Sequence, residues 1–297
     1  MRPIIAIPSY NRPDAKIFNK LGSIKLQKFV FVRKEQYKDY VYLQEKGFGV
    51  VTLPASIEEI GMTRRYIVWW CDKRGYDWTF MFDDDISKVE LLGERDDGTW
   101  NSQRIIDGSK TPPRFENKAL KLWFTLAKEH NLKLSSPNHR AYDRFNHGPS
   151  IRVNKSAPIQ CVLIHIPSIL KVGNYKSTRE VGNEDLYILY ELMKNGLSTG
   201  KIGLVEYDCP QIGNIEDGTD DTFKEKYERF VSCFQNNVCN DPELIGVKTT
   251  KTGVPSIQFK WKNWGGYDIK LEEYKFGDID WMKYHKLHQS KPIIERW

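Results

Sequence analysis

No run in this 297-residue chain approaches the ~20 consecutive apolar residues that a membrane-spanning helix needs. The opening Met1-Arg2-Pro3-Ile4-Ile5-Ala6-Ile7-Pro8 is broken too soon to serve as a secretory leader, so a cytoplasmic protein with no membrane partner is expected. Cysteine is scarce: Cys71, Cys161, Cys209, Cys233 and Cys239 are odd in number, widely spaced and contain no CxxC pair. That pattern suggests neither a disulfide framework nor a zinc cluster, and reduced thiols are expected. There is no internal repeat and no low-complexity tract, and nothing points to an obligate protein partner.

What is present is an ordinary globular balance, 40% hydrophobic and 28% charged, with a net charge of +6. The charge is unevenly placed. Residues 101–160 hold eleven Lys and Arg against four Asp and Glu. Such a patch suits a phosphate-rich partner, because each neutralised phosphate releases counterions; a solvated basic helix face would look the same. Within it His139, Arg140, Tyr142, Arg144, Phe145 and Arg152 interleave cations with rings able to stack on a displaced base.

Short apolar runs alternate with helical spacing through the first half. Strands are expected at Ile4-Ile5-Ala6-Ile7, Phe29-Val30-Phe31-Val32, Val50-Val51-Thr52-Leu53 and Trp78–Phe82, with helices over 37–43 and 61–70 between them. A helix over 116–130, a strand over 159–166, a helix ended by Asn195-Gly196 and a strand over 201–208 continue the series. Residues 91–114 read as loop, and 131–158 as a polar, turn-rich segment wrapping over the sheet edge. The class is α/β, a mixed and mostly parallel sheet flanked by helices. Residues 1–220 form the main domain, and 221–297 a helical and aromatic extension packed on it.

The strand Trp78–Phe82 ends in Asp83-Asp84-Asp85. Three carboxylates at one strand end repel one another unless a hard cation with oxygen ligands, Mg²⁺ or Mn²⁺, offsets the cost. Asp83 and Asp85 have the spacing to hold such a metal. Pro8, Ser9, Tyr10, Asn11 and Arg12 follow the first strand, where a ring can stack on a base and an amide can bond its edge. Arg64 and Arg65 open a helix and either grip a diphosphate bidentately or form surface ion pairs. Asn183-Glu184-Asp185 begins another helix, as ordinary N-terminal charge placement or as Asp185 acting as general base with Glu184 orienting the acceptor. His139, His147, His165, His285 and His288 are isolated; His285 or His288 completes a metal shell only if the tail folds back.

Taken in order, Ile5-Ala6-Ile7-Pro8-Ser9-Tyr10-Asn11-Arg12-Pro13, Phe82-Asp83-Asp84-Asp85-Ile86 and Asn183-Glu184-Asp185 resemble the signature of the GT-A glycosyltransferases. The resemblance covers roughly residues 1–218 and is nearest in form to the TET-associated glycosyltransferases of bacteriophages. It implies a GT-A fold and a nucleotide-sugar donor, by superfamily habit UDP-linked. Pro8, Ser9, Tyr10, Asn11, Arg12, Arg64, Arg65, Asp83 and Asp84 would contact that donor. Asp83 and Asp85 would hold Mn²⁺ or Mg²⁺, and Asp185 with Glu184 would serve catalysis. DNA carrying a hydroxymethylated pyrimidine in an infected bacterial cell would be the acceptor, met by His139, Arg140, Tyr142 and Arg144. Three other readings stay open: a GT-A enzyme acting on a glycan or protein, a nucleotidyltransferase, and a non-catalytic DNA-binding module.

Overall fold

The computed structural model describes residues 3–94, 100–102, 115–140, 150–209, 223–238, 241–249, 253 and 255–271. Strand β1 (Ile4–Pro8) is buried along its whole length. Its residues alternate between two cores, Ile5 and Ile7 facing one and Ile4 and Ala6 the other. This is why β1 reads as a continuous apolar run: it is covered on both faces. Strands β2 (Lys28–Arg33), β3 (Phe48–Leu53) and β4 (Trp78–Phe82) lie parallel to it in the order β3-β2-β1-β4. Short helices α1 (Lys16–Lys20) and α2 (Tyr37–Tyr40) and the longer α3 (Ile60–Lys73) fill the crossovers.

Beyond β4 the sheet continues through β9 (Cys161–His165), β7 (Leu134–His139) and β10 (Thr199–Asp208). β9 runs antiparallel to both of its neighbours, so β1, β2, β3, β4, β7 and β10 share one direction. The mixed, mostly parallel sheet flanked by helices is the architecture expected from the sequence. Helix α4 (Asn117–Glu129) packs Leu120, Trp123 and Leu126 on one face, while α3, α5 (Ile166–Val172) and α7 (Glu184–Lys194) cover the other. A short helix, α6 (Thr178–Val181), precedes α7.

Two expectations are corrected. Residues 91–114 are not loop throughout, because β5 (Lys88–Glu94) pairs antiparallel with β10, and β6 (Trp100–Ser102) pairs with β5. The segment 131–158 does not simply wrap the edge either, since β7 is fully buried within the sheet and β8 (Ser150–Val153) pairs with β10. β7 reads Leu-Ser-Ser-Pro-Asn-His, poor in strand formers. Two of its polar side chains find partners inside: Trp123 Nε1 donates to Ser135 Oγ at 2.9 Å, and Arg152 donates to Asn138 Oδ1 at 2.9 Å.

Described residues beyond 222 contribute side chains to this core. Helix α8 (Phe223–Asn237) buries Phe234 edge-on to Tyr190. Strands β11 (Ile245–Thr249) and β12 (Pro255–Phe259) form a separate pair, and β13 (Tyr267–Lys270) adds to the edge of the main sheet beside β8. Among the described residues no helix is long and apolar enough to cross a membrane.

Candidate active site

Because the strands share a direction, the segments after β1 and β4 emerge at the same sheet edge, where ligands of α/β folds gather. Ser9 Oγ donates to Asp84 Oδ2 at 2.7 Å. With that proton committed, the 2.9 Å contact of Ser9 with Tyr40 has the phenol as donor, and the phenol oxygen accepts the Arg12 backbone N–H at 2.8 Å. Arg12 Nη1 reaches Asp84 Oδ1 at 3.0 Å. Both oxygens of Asp84 are therefore spent clasping the β1 loop to the β4 turn, so the middle aspartate holds the site together. Burial pushes its carboxyl above the ordinary range against the pull of Ser9 and Arg12. Asn11 takes a left-handed φ of 55°, which asparagine tolerates, and its Oδ1 accepts from Gln36.

Asp83 is fixed from two sides. Its N–H bonds the carbonyl of Gln160, itself at φ 63°, and its Oδ1 accepts from Arg64 Nη2 at 2.8 Å. The other guanidinium nitrogen of Arg64 donates to Glu184 Oε1 at 2.6 Å. Burial disfavours the Arg64 charge, but Asp83, Glu184 and Asp185 outweigh it and keep the group cationic. Thr178 Oγ1 donates to Glu184 Oε2 at 3.1 Å, so each oxygen of Glu184 already accepts one hydrogen bond. The close approach needs Gly61: a Cβ there would stand 2.3 Å from the Lys176 carbonyl oxygen and 3.2 Å from Glu184 Cβ.

Asp85 is different. Its Oδ1 is buried without a hydrogen-bond partner. Burial first, then the charges of Asp83 and Asp84, push its carboxyl up to about 7. A buried, unpartnered carboxylate oxygen beside two more carboxylates is the environment a hard cation stabilises. Among the described residues no three His, Cys, Asp or Glu side chains are arranged to hold a metal alone. Asp83 and Asp85 are the residues that would hold such a cation, together with oxygens from outside the chain.

Asp185 Oδ1 accepts the Leu186 N–H at 2.8 Å in the first turn of α7. Burial raises its carboxyl, and Arg64 and that N–H only partly restore it. A raised carboxyl accepts a proton more readily than a free aspartate, as a general base requires.

A cleft of about 700 Å³ is lined by Pro8 to Arg12, Arg33, Glu58, Glu59 and Asp83 to Asp85 among others, whereas Arg64, Glu184 and Asp185 are not part of its lining. Tyr10 stands half exposed at its rim with the Arg33 guanidinium 4.2 Å above the ring. Arg65 is exposed on α3 and does not line the cleft. The acceptor residues expected in the basic segment fare unevenly. His139 is buried at 2% exposure, edge-on to Tyr207 and with Nε2 3.1 Å from Cys209 Sγ, so it does not present a ring to a base. Arg140 is partly exposed, 3.6 Å from Asp208. Tyr142 and Arg144 lie outside the described residues, as do His147, His285 and His288.

No known family matches the sequence, and no curated protein does. Solved structures do resemble it. One is GalNAc-T7 with UDP, GalNAc and Mn²⁺, at 10% identity and a TM-score of 0.47 over 70% of this chain. This chain spans only 44% of that one. A second is CMP:2-keto-3-deoxy-manno-octonic acid synthetase complexed with CTP, at 9% identity and TM-score 0.40, covering 70% of this chain and 91% of that one. A third is a putative nucleotide-diphospho-sugar transferase from Desulfovibrio desulfuricans G20, at 7% identity and TM-score 0.38, covering 80% and 99%. At these identities and scores none assigns a substrate or a residue role to this chain.

Several site residues carry no motif. Arg33 ends β2 at the ligand-binding edge, and the strand-end logic that singled out Ser9 to Arg12 points to it equally. Tyr40 braces Ser9 and the Arg12 backbone, the Gln160 carbonyl holds the Asp83 backbone, and Thr178 donates to the Glu184 carboxylate, contacts for which the sequence carries no local signal.

Proposed function

We propose that this protein is a metal-dependent glycosyltransferase that moves a sugar from a nucleotide-sugar donor to the hydroxymethyl group of a modified pyrimidine in DNA. The observation that carries the transferase reading is the convergence of the β1 loop, the Asp83–Asp85 turn and the Glu184–Asp185 pair, the last two tied by Arg64. The named lining of the cleft counts five carboxylates, Glu58, Glu59, Asp83, Asp84 and Asp85, against Arg12 and Arg33. An anionic diphosphate would be repelled there unless a cation bound with it, which favours a metal-linked donor. Asp83 and Asp85 would hold Mn²⁺ or Mg²⁺, whose contribution when bound is to stabilise charge on the departing diphosphate.

Tyr10 and Asn11, with Arg33, offer the donor base a ring, an amide and a cation at the rim. Asp185 takes the proton of the attacking hydroxyl if configuration inverts, while Glu184 holds Arg64. The DNA acceptor draws its support from the resemblance and from the basic composition of residues 101–160. With His139 buried, Arg140 is the acceptor-contact candidate among the described residues.

The direct test incubates the protein with Mn²⁺, a panel of nucleotide sugars, and duplexes carrying cytosine, hydroxymethylcytosine or hydroxymethyluracil, followed by mass analysis of the digested nucleosides. A sugar-sized gain on one hydroxymethylated base is expected. Metal-dependent donor hydrolysis with no gain on any DNA would move the acceptor to a glycan or protein; release of pyrophosphate would indicate nucleotidyl transfer. Salt-sensitive DNA binding without donor turnover, surviving Asp83→Ala with Asp85→Ala, would leave only a binding module.

A further inference from the structure

Arg64 joins two regions distant in sequence, with Asp83 19 residues and Glu184 120 residues away from it. It is 7% exposed, and its two terminal nitrogens are divided between Asp83 Oδ1 at 2.8 Å and Glu184 Oε1 at 2.6 Å. Neither contact is a surface ion pair, since Glu184 is 6% exposed and the Asp83 side chain is about one quarter exposed. The guanidinium fork is rigid and planar, so a shift toward one carboxylate is a shift away from the other.

We infer that Arg64 is a positioning residue that couples the cation-binding carboxylate Asp83 to the acceptor-side carboxylate Glu184, each partner setting how much of the guanidinium charge falls on the other. This deepens the proposed function and rests on its reading of Asp83 as a metal ligand. While Glu184 is anionic it draws charge from Arg64 and leaves Asp83 electron-rich enough to bind a divalent cation. Neutralising Glu184 places the Arg64 charge more fully on Asp83 and opposes the cation. Removing the Arg64 charge does the reverse. By linkage, a cation on Asp83 also strengthens the grip of Arg64 on Glu184 and so firms the first turn of α7, where Asp185 sits.

The two substitutions have opposite expected signs, which a purely structural role does not produce. Glu184→Gln keeps the geometry: its amide oxygen still accepts from Arg64, and its amide nitrogen donates to the Thr178 hydroxyl with the roles reversed. Arg64→Gln removes the cation and tests the other direction. Binding of Mn²⁺ alone is measured by calorimetry or by loss of the free-ion magnetic resonance signal, with thermal melting to establish folding.

The expected result is a Kd raised at least ~3-fold in Glu184→Gln and lowered in Arg64→Gln, both effects shrinking as salt screens the charges. Equal Mn²⁺ affinity in folded wild type and folded Glu184→Gln overturns the coupling while leaving the metal site intact. Weakening in both variants also overturns it and makes Arg64 a scaffold only. Should Arg64→Gln fail to fold, Glu184→Gln decides alone. Absence of Mn²⁺ binding by the wild type overturns the coupling and the metal-dependent reading together, whereas a wild type that binds Mn²⁺ but transfers no sugar overturns only the acceptor or donor assignment.

Discussion

The three aspartates after β4 have three separate fates. Asp84 is consumed by Ser9 and Arg12, Asp83 shares Arg64, and Asp85 keeps a buried oxygen without a partner. A sequence shows the run of charges but not this division of labour. Asp85→Asn should abolish metal-dependent donor hydrolysis. It should also leave stability unchanged or raise it by ~1 kcal/mol, because a repelled, buried charge is removed. Activity assays and denaturant midpoints together check both halves. Asp185 bears on the chemistry alone: Asp185→Asn is expected to slow transfer by ~10²-fold or more while nucleotide affinity stays nearly constant. Equal losses in affinity and rate would make it a helix cap instead. A different kind of residue prediction concerns His165. Burial, then the Lys133 charge, lower its imidazole to about 4, below the ordinary 6.5. Between those values the unfolded chain binds a proton that the folded chain does not, so stability falls as pH drops from 6.5 toward 4 and is fully retained above 6.5. The loss in urea midpoint between pH 7 and pH 5 should be smaller in His165→Gln than in the wild type.

At the scale of elements, strands whose residues face two cores were legible because little polar interrupts them: β1, the Phe29–Val32 stretch of β2 and β4, with Thr79 its one polar residue, are rich in β-branched or aromatic residues. β7 was not legible, since Ser135, Ser136 and Asn138 look like loop until Trp123 and Arg152 are known to stand opposite. β5 was hidden for a related reason: it carries charged residues, yet Lys88 is buried, 3.0 Å from Glu90 and 2.7 Å from Glu206 of β10. The site follows the same rule. The carboxylate motifs sat at strand and helix ends and could be found there, whereas the role of Arg64 depended on where α3 docks. That docking hangs on Gly61. Gly61→Ala should push the first turn of α3 away from the Lys176 carbonyl and Glu184, since backbone cannot yield as a flexible side chain can. A destabilisation of ~1–3 kcal/mol is expected, together with a loss of transfer rate larger than a remote substitution of equal destabilisation produces. Matching rate losses in such a control would confine Gly61 to stability.

For the whole molecule, the issue is whether the region beyond residue 220 is an appendage or part of the catalytic body. α8 lays Phe234, fully buried, against Tyr190 of α7, and Gly182 before α7 comes so near α8 that an added Cβ would meet the Phe230 carbonyl oxygen at 2.2 Å. α7 is the helix whose first turn presents Glu184 and Asp185. At the other side of the fold β13 pairs with β8, which in turn pairs with β10, so the same C-terminal stretch also covers a sheet edge. Deleting residues 223–297 would therefore expose the Tyr190 face of α7 and uncover β8 at once. Burying one large aromatic side chain contributes roughly 1.5–3 kcal/mol, a sizeable fraction of a typical domain's 5–15 kcal/mol. The truncated chain is expected to melt well below the full chain or to aggregate, and any soluble fraction should lose transfer more than Mn²⁺ binding, because α7 loses its support while the Asp83–Asp85 turn is held by β1, β4 and Gln160. An unchanged melting temperature with unchanged transfer would make the C-terminal region an independent attachment.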